Sequence, residues 1–298
     1  MIAGDMRGLR PYCTRVLLSV ALALTGSCRR SNDSTPADHP RLTEKVTLRD
    51  FTFHSDALGR DMPYRVIWPV EPPGRKLPVV YLLHGGGGGF RDWSNYSDVA
   101  RFAESGLFLV MPEGESSYYT NAVDPPQDRF EDYITHDLIS DVESRFPVAA
   151  GRENRALIGV SMGGFGAVKI GLRRPDLFSF VGGISSAIDV PRRTFSFKRL
   201  QQSHHYNSIF GPSGSQARRD NDPFALVRTA NPQFAPYFFL TCGEQEGLLP
   251  ANREFAGLLA QHHFRYEFHT VRGGHDWNQW NAWLPSVLHS LSDHMKPR

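Results

Sequence analysis

Ser161 lies in Gly159-Val160-Ser161-Met162-Gly163-Gly164, a G-x-S-x-G pentad in which a serine can act as a nucleophile on a strained turn. A serine hydroxyl is a poor nucleophile at its own pKa, so it needs a base, and the base needs a group that orients it. The downstream histidines include His204, His205, His262, His263, His269, His275 and His289. His275 stands apart, in Arg272-Gly273-Gly274-His275-Asp276-Trp277, where a glycine pair forms a loop that can carry an imidazole back over a sheet edge. The acid belongs in Cys242-Gly243-Glu244-Gln245-Glu246-Gly247-Leu248-Leu249-Pro250, where Glu244 and Glu246 both qualify and local pattern does not choose. Asp276 adjoins His275 and is badly placed to accept from its ring. A developing oxyanion needs preorganised N–H donors. The loop His84-Gly85-Gly86-Gly87-Gly88-Gly89 can offer one, and Met162, after the nucleophile, the other. Together these types suit acyl transfer through a covalent serine intermediate. A phosphate cradle would need Lys-Ser/Thr after the glycines, and Phe90-Arg91-Asp92-Trp93 supplies none.

The elements that must position these residues alternate along the chain. Leu48 to His54 and Met62 to Trp68 read as an antiparallel pair. Continuous apolar runs follow at Val79–Leu83, Leu107–Met111, Ala156–Val160, Phe180–Ile184 and Tyr237–Thr241, and a more polar strand is expected at Tyr266–Val271. Such runs, buried on both faces, belong to a parallel sheet. Helical spacing predicts helices over about 95–105, 130–146, 166–174, 251–261 and 278–295. The expected fold is α/β, a mostly parallel sheet with helices on both faces. Ser161 then sits between a strand and a helix, as an elbow requires. About fifty residues, 187–236, break the alternation with a basic, aromatic segment, expected to be a cap-like insertion over the strand ends.

The first residues differ in kind. Arg7, Arg10 and Arg15 precede Val16–Leu24, and Thr25-Gly26-Ser27 lead to Cys28. A basic region, a short apolar run and small residues predict an export signal over 1–27. Leu24-Thr25-Gly26-Ser27-Cys28 resembles a lipobox, with Thr25 where leucine is usual, so a lipid anchor at Cys28 is an expectation. Residues 28–45 are expected to be a tether and 46–298 the domain. Losing the leader removes three of 33 basic and one of 31 acidic residues and leaves 30 of each, no footprint for nucleic acid. Cys242 is then the single thiol of the domain, so packing rather than a disulfide must hold it. No Cys or His spacing suggests a metal, and no cofactor is expected.

Three motifs carry a resemblance. Leu82-Leu83-His84-Gly85 with Asp92-Trp93, the Ser161 pentad, and Gly273-Gly274-His275-Asp276-Trp277 look like the putative-esterase family of α/β-hydrolases. That family includes esterase D and S-formylglutathione hydrolases, tributyrin and feruloyl esterases and the antigen 85 mycolyltransferases. The likeness covers about residue 48 to the C-terminus. It implies the α/β-hydrolase fold and a serine carboxylesterase, with carbohydrate-linked esters among the candidate substrates. In many members a G-x-x-D turn supplies the acid. Gly243-Glu244-Gln245-Glu246 then points to Glu246, with glutamate in place of aspartate, and the same carry-over points to the N–H of Gly86 as the loop donor. An antigen 85-type acyltransferase and a non-catalytic surface lipoprotein are the alternatives.

Overall fold

The computed structural model describes residue 1, residues 37–71 and residues 74–295. The expected export signal and the Cys28 anchor lie outside the described residues. Eight strands form one sheet: β1 (Val46–Ser55), β2 (Arg60–Pro69), β3 (Val79–Leu83), β4 (Phe108–Pro112), β5 (Arg155–Val160), β6 (Phe180–Ile184), β7 (Tyr237–Gly243) and β8 (Tyr266–Val271). Their order is β1-β2-β4-β3-β5-β6-β7-β8. β1 pairs antiparallel with β2, and β2 with β4, whereas every neighbour from β4 across to β8 is parallel.

The continuous apolar strands divide their side chains between two cores. On β3, Val79, Tyr81 and Leu83 face one core, while Val80 and Leu82 face the other. The first core is closed by Phe130, Ala167, Ile170, Phe224 and Phe255 from helices on one face of the sheet. The second is closed by Phe102, Trp280, Leu284 and Leu291 on the opposite face. Burial on both sides makes each of these strands a run without polar interruption.

Three details depart from the sequence expectation. Asp38 to Arg41 are bound to the domain rather than part of a tether: Asp38 accepts both terminal nitrogens of the buried Arg65, at 2.9 and 2.6 Å, and the Arg41 N–H donates to Ser94 O at 2.7 Å. The helix expected over 95–105 is two short ones, Asp92–Tyr96 and Ala100–Glu104. Ser97 interrupts it with extended dihedrals (φ −134°, ψ 163°) while its hydroxyl donates to Trp93 O at 2.5 Å, the competition for a helical carbonyl that serine offers. The helix expected over 130–146 contains a π-helical stretch, Tyr133–Leu138, between α-helical ends. There Asp137 accepts from the Ser55 hydroxyl (2.6 Å) and the Ala57 N–H (2.9 Å), which ties the wider winding to the β1–β2 turn.

The insertion leaves the C-terminal end of β6 and contains helices Leu200–Phe210, Gln216–Asp220 and Pro223–Thr229. Its own cluster, Val190, Tyr206, Ile209 and Phe210, packs on Phe165 of the helix Met162–Arg173. Buried Arg218 knits it together, donating to Gly211 O, Pro191 O, Arg193 O and Asn207 Oδ1. A cap-like element thus rests on the helix that follows Ser161.

Candidate active site

β5 ends at Val160, and the helix Met162–Arg173 starts one residue later, leaving Ser161 alone at the turn with φ +55° and ψ −112°. A non-glycine residue there costs about 1–3 kcal/mol and persists only when its surroundings fix it. Two hydrogen bonds do so: Ser161 N–H to Ile184 O (2.8 Å) and Ala187 N–H to Ser161 O (3.0 Å). The flanking glycines let the backbones meet. A Cβ on Gly159 would lie 2.2 Å from the Gly163 carbonyl, and one on Gly163 would lie 2.3 Å from Leu83 O. Only hydrogen fits between strand and helix.

Ser161, His275 and Glu246 lie in one hydrogen-bonded line. Ser161 Oγ is 2.8 Å from His275 Nε2, and His275 Nδ1 is 2.7 Å from Glu246 Oε2. Glu246 sits in the turn after β7 with 1% of its side chain exposed. Its other oxygen accepts from the Ser185 hydroxyl (2.6 Å) and the Gly243 N–H (2.9 Å). Burial pushes this carboxyl up, but the bonds from His275, Ser185 and Gly243 outweigh it and hold the group below the usual carboxylate range. Glu244 is exposed two residues away, and Asp276 caps the C-terminal helix through the Asn278 and Gln279 amides. Of the three acids that the sequence offered, Glu246 alone reaches His275.

Beside this line lies the glycine loop. A Cβ built on Gly85 would be 3.5 Å from Ser161 Cβ, and one on Gly86 would be 3.9 Å from Met162 Cβ. The Gly86 and Met162 amides donate to no acceptor among the described residues, so both remain available to an oxyanion. The loop is held at several points. His84 Nδ1 lies 2.8 Å from Gly85 O, His84 Nε2 accepts from the Gly114 N–H at 2.8 Å, and Glu113 accepts from the Phe90 N–H at 3.2 Å. Trp93, from the Asp92-Trp93 pair, donates its indole N–H to Leu83 O at the end of β3 (3.0 Å).

Sequence reasoning missed the support behind the acid. The Trp280 indole N–H donates to Ser185 Oγ at 3.0 Å, and its ring stands edge-on to His275 with centroids 4.9 Å apart. One residue therefore packs His275 and, through Ser185, fixes Glu246. Neither residue belongs to a motif, and the only hint was the aromatic density after His275. Cys242, next to this network, is buried and pushed up to about 12, first by burial and then by Glu246, which keeps it an unreactive thiol.

A family model described as "Putative esterase" matches residues 55–291. An acetyl esterase of Caldicellulosiruptor saccharolyticus is 26% identical over 263 residues, spanning 83% of this chain and 98% of that protein. The diacylglycerol acyltransferase/mycolyltransferase Ag85A of Mycobacterium leprae is 25% identical over 245 residues, spanning 76% of this chain and 70% of its own. Among solved structures, the fluorophosphonate-binding serine hydrolase FphF of Staphylococcus aureus superposes with a TM-score of 0.71 at 23% identity, over 85% of this chain and 99% of that one. The mostly parallel sheet is that of the α/β-hydrolases. The chain belongs to the esterase family and is an ester-hydrolysing enzyme.

Proposed function

We propose that this enzyme is an exported carboxylesterase that uses Ser161, His275 and Glu246, with esters of carbohydrate hydroxyls among its substrates. The unbroken line from the Ser161 hydroxyl through both ring nitrogens of His275 to a buried carboxylate carries this reading. Ionised Glu246 can only accept, so His275 Nδ1 bears the proton and Nε2 presents the lone pair that takes the Ser161 O–H bond. Ser161 Oγ attacks the ester carbonyl as Nε2 takes its proton. The Met162 and Gly86 N–H groups receive the oxyanion. His275 returns the proton to the leaving alcohol, and the acyl-enzyme is then hydrolysed by a water that the same nitrogen deprotonates. Glu246 orients the ring and stabilises its charged form without taking the proton. The basic, apolar and small-residue pattern of residues 1–27 supports export, and the acetyl esterase relative supports a small acyl group.

Turnover of a nitrophenyl ester tests the triad. Ser161→Ala and His275→Ala are expected to abolish it with an unchanged melting temperature, and Glu246→Gln to lower kcat by about 10³–10⁴. A fluorophosphonate should label wild type at Ser161. Normal turnover by either alanine variant, or an adduct elsewhere, overturns the assignment. The Ag85A relative favours a second reading, in which a sugar hydroxyl replaces water at deacylation. Acylated sugar in place of free acid, on adding a sugar acceptor, would select it.

A further inference from the structure

Residues 192–200 of the insertion take no part in the line at Ser161, yet their two faces differ sharply. Arg193, Thr194, Ser196 and Arg199 line a cleft of about 700 Å³ shared with Gly247 and Pro250, which follow Glu246. Phe195, Phe197 and Leu200 take no part in that lining and are 38%, 87% and 48% exposed. Three large apolar side chains bared within six residues form a patch, where scattered single ones would need no explanation.

Charge singles out the same segment. Between Val190 and Arg219 there are six Lys or Arg residues and no Asp or Glu, in a chain whose overall charge is close to balanced. Lys198 and Arg199, which flank Phe197 and Leu200, are exposed and have no ion-pair partner among the described residues. Aromatic and aliphatic tips set among unneutralised cations match the boundary between the headgroups and acyl chains of an anionic bilayer. A polysaccharide chain would fit less well. The Phe195 and Phe197 rings meet edge to face at 84°, with centroids 5.1 Å apart, so they present no flat stacking platform.

We propose that the tip formed by Phe195, Phe197, Lys198 and Leu200 docks the enzyme on an anionic phospholipid surface. The apolar side chains enter the headgroup boundary while Lys198 lies against phosphates. The insertion leaves β6 at the sheet edge that carries Ser161, so docking turns that edge towards the membrane.

The test uses the full chain and two reporters, Phe197→Trp and Phe234→Trp. Phe234 is also exposed (68%) but immediately precedes β7, at the opposite edge of the sheet. Each is mixed with vesicles of equal parts phosphatidylglycerol and dibrominated phosphatidylcholine, and the emission is read as a difference from wild type. Quenching at position 197 and not at 234, lost on dibrominated phosphatidylcholine alone and weakened by salt, is the expected result. Adhesion through residues before the domain would not single out position 197. Equal quenching at both positions, quenching at neither, or equal quenching on neutral vesicles overturns the proposal. Phe197→Ser with Leu200→Ser should lower vesicle affinity by about tenfold or more while leaving turnover of a soluble short-chain ester unchanged. Unchanged affinity in that variant, or a response of the 197 reporter to soluble polygalacturonate and not to vesicles, also overturns it.

Discussion

One methylene separates glutamate from aspartate, and at position 246 the turn after β7 is built to use the longer arm. One oxygen reaches His275 while the other is gripped by Ser185 and the Gly243 amide, so the carboxylate has little freedom to swing away. The oxyanion donors invite a separate test. Gly86→Ala keeps the N–H, and its Cβ would make only ordinary contact with Met162, so near-normal activity is expected. Gly86→Pro removes the N–H and should lower kcat by about 10²–10³ with little change in KM. Equal activity of the two variants in steady-state assays would remove Gly86 from the mechanism. At this scale the sequence singled out Ser161 and His275, which the fold brings within 2.8 Å of each other, because an elbow and a glycine-flanked histidine loop impose local residue patterns. The choice of Glu246 over Glu244 depended on which side chain the turn folds inward, and two neighbouring carboxylates look alike until a backbone exists. Ser185 and Trp280 left no trace, since a hydroxyl and an indole acquire their roles only from what the folded sheet brings beside them.

Among the elements, the insertion depends on one side chain more than on its helices. Arg218 is 4% exposed and spends its guanidinium on four acceptors drawn from both ends of the segment. Arg218→Met strands those acceptors, each buried one costing about 1–3 kcal/mol. The expected outcome is faster hydrogen exchange and proteolysis confined to residues 190–219, while the exchange of β3 and β5 amides stays at its wild-type rate. Uniform loosening of the whole chain would show instead that the insertion and sheet unfold together. Strands β3 and β6 were legible to the residue, because an apolar run bounded by breakers has few other readings. The split at Ser97 and the π-helical stretch at Tyr133–Leu138 were not. Each arises where a side chain takes over backbone bonding or a distant turn recruits the helix, and periodicity carries no information about either.

For the molecule as a whole, four carboxylates among the described residues are held below their usual range: Asp176 by the neighbouring Arg174, and three others that tie separate parts together. Asp38 is lowered chiefly by its bonds to Arg65, whereas at Glu113 and Glu246 burial pushes upward and hydrogen bonds led by His84 and His275 prevail. A carboxyl with a depressed folded pKa contributes stability that is fully present above its unfolded value, about 4, and is lost as pH falls through the folded value. Burial raises Asp92 and Asp222, which act in the opposite sense. Urea midpoints are therefore expected to fall on acidification below about pH 4.5, and to fall less steeply in Asp38→Asn. An identical slope would show that Asp38 is idle. The alternation of strands and helices gave away the fold class, but the start of the domain was misplaced, because the polar stretch before Val46 reads as linker unless the buried Arg65 is known to wait for Asp38. The strand order also bears on when the enzyme becomes active. Ser161 precedes His275 by 114 residues, and His275 follows β8. A ribosome therefore makes Ser161 long before His275, and parallel pairing of β7 with β8 must finish before the two can meet. Until the His275 loop emerges, the growing chain carries Ser161 without the imidazole proposed to activate it, and on that proposal hydrolytic power waits for β8 to take its place.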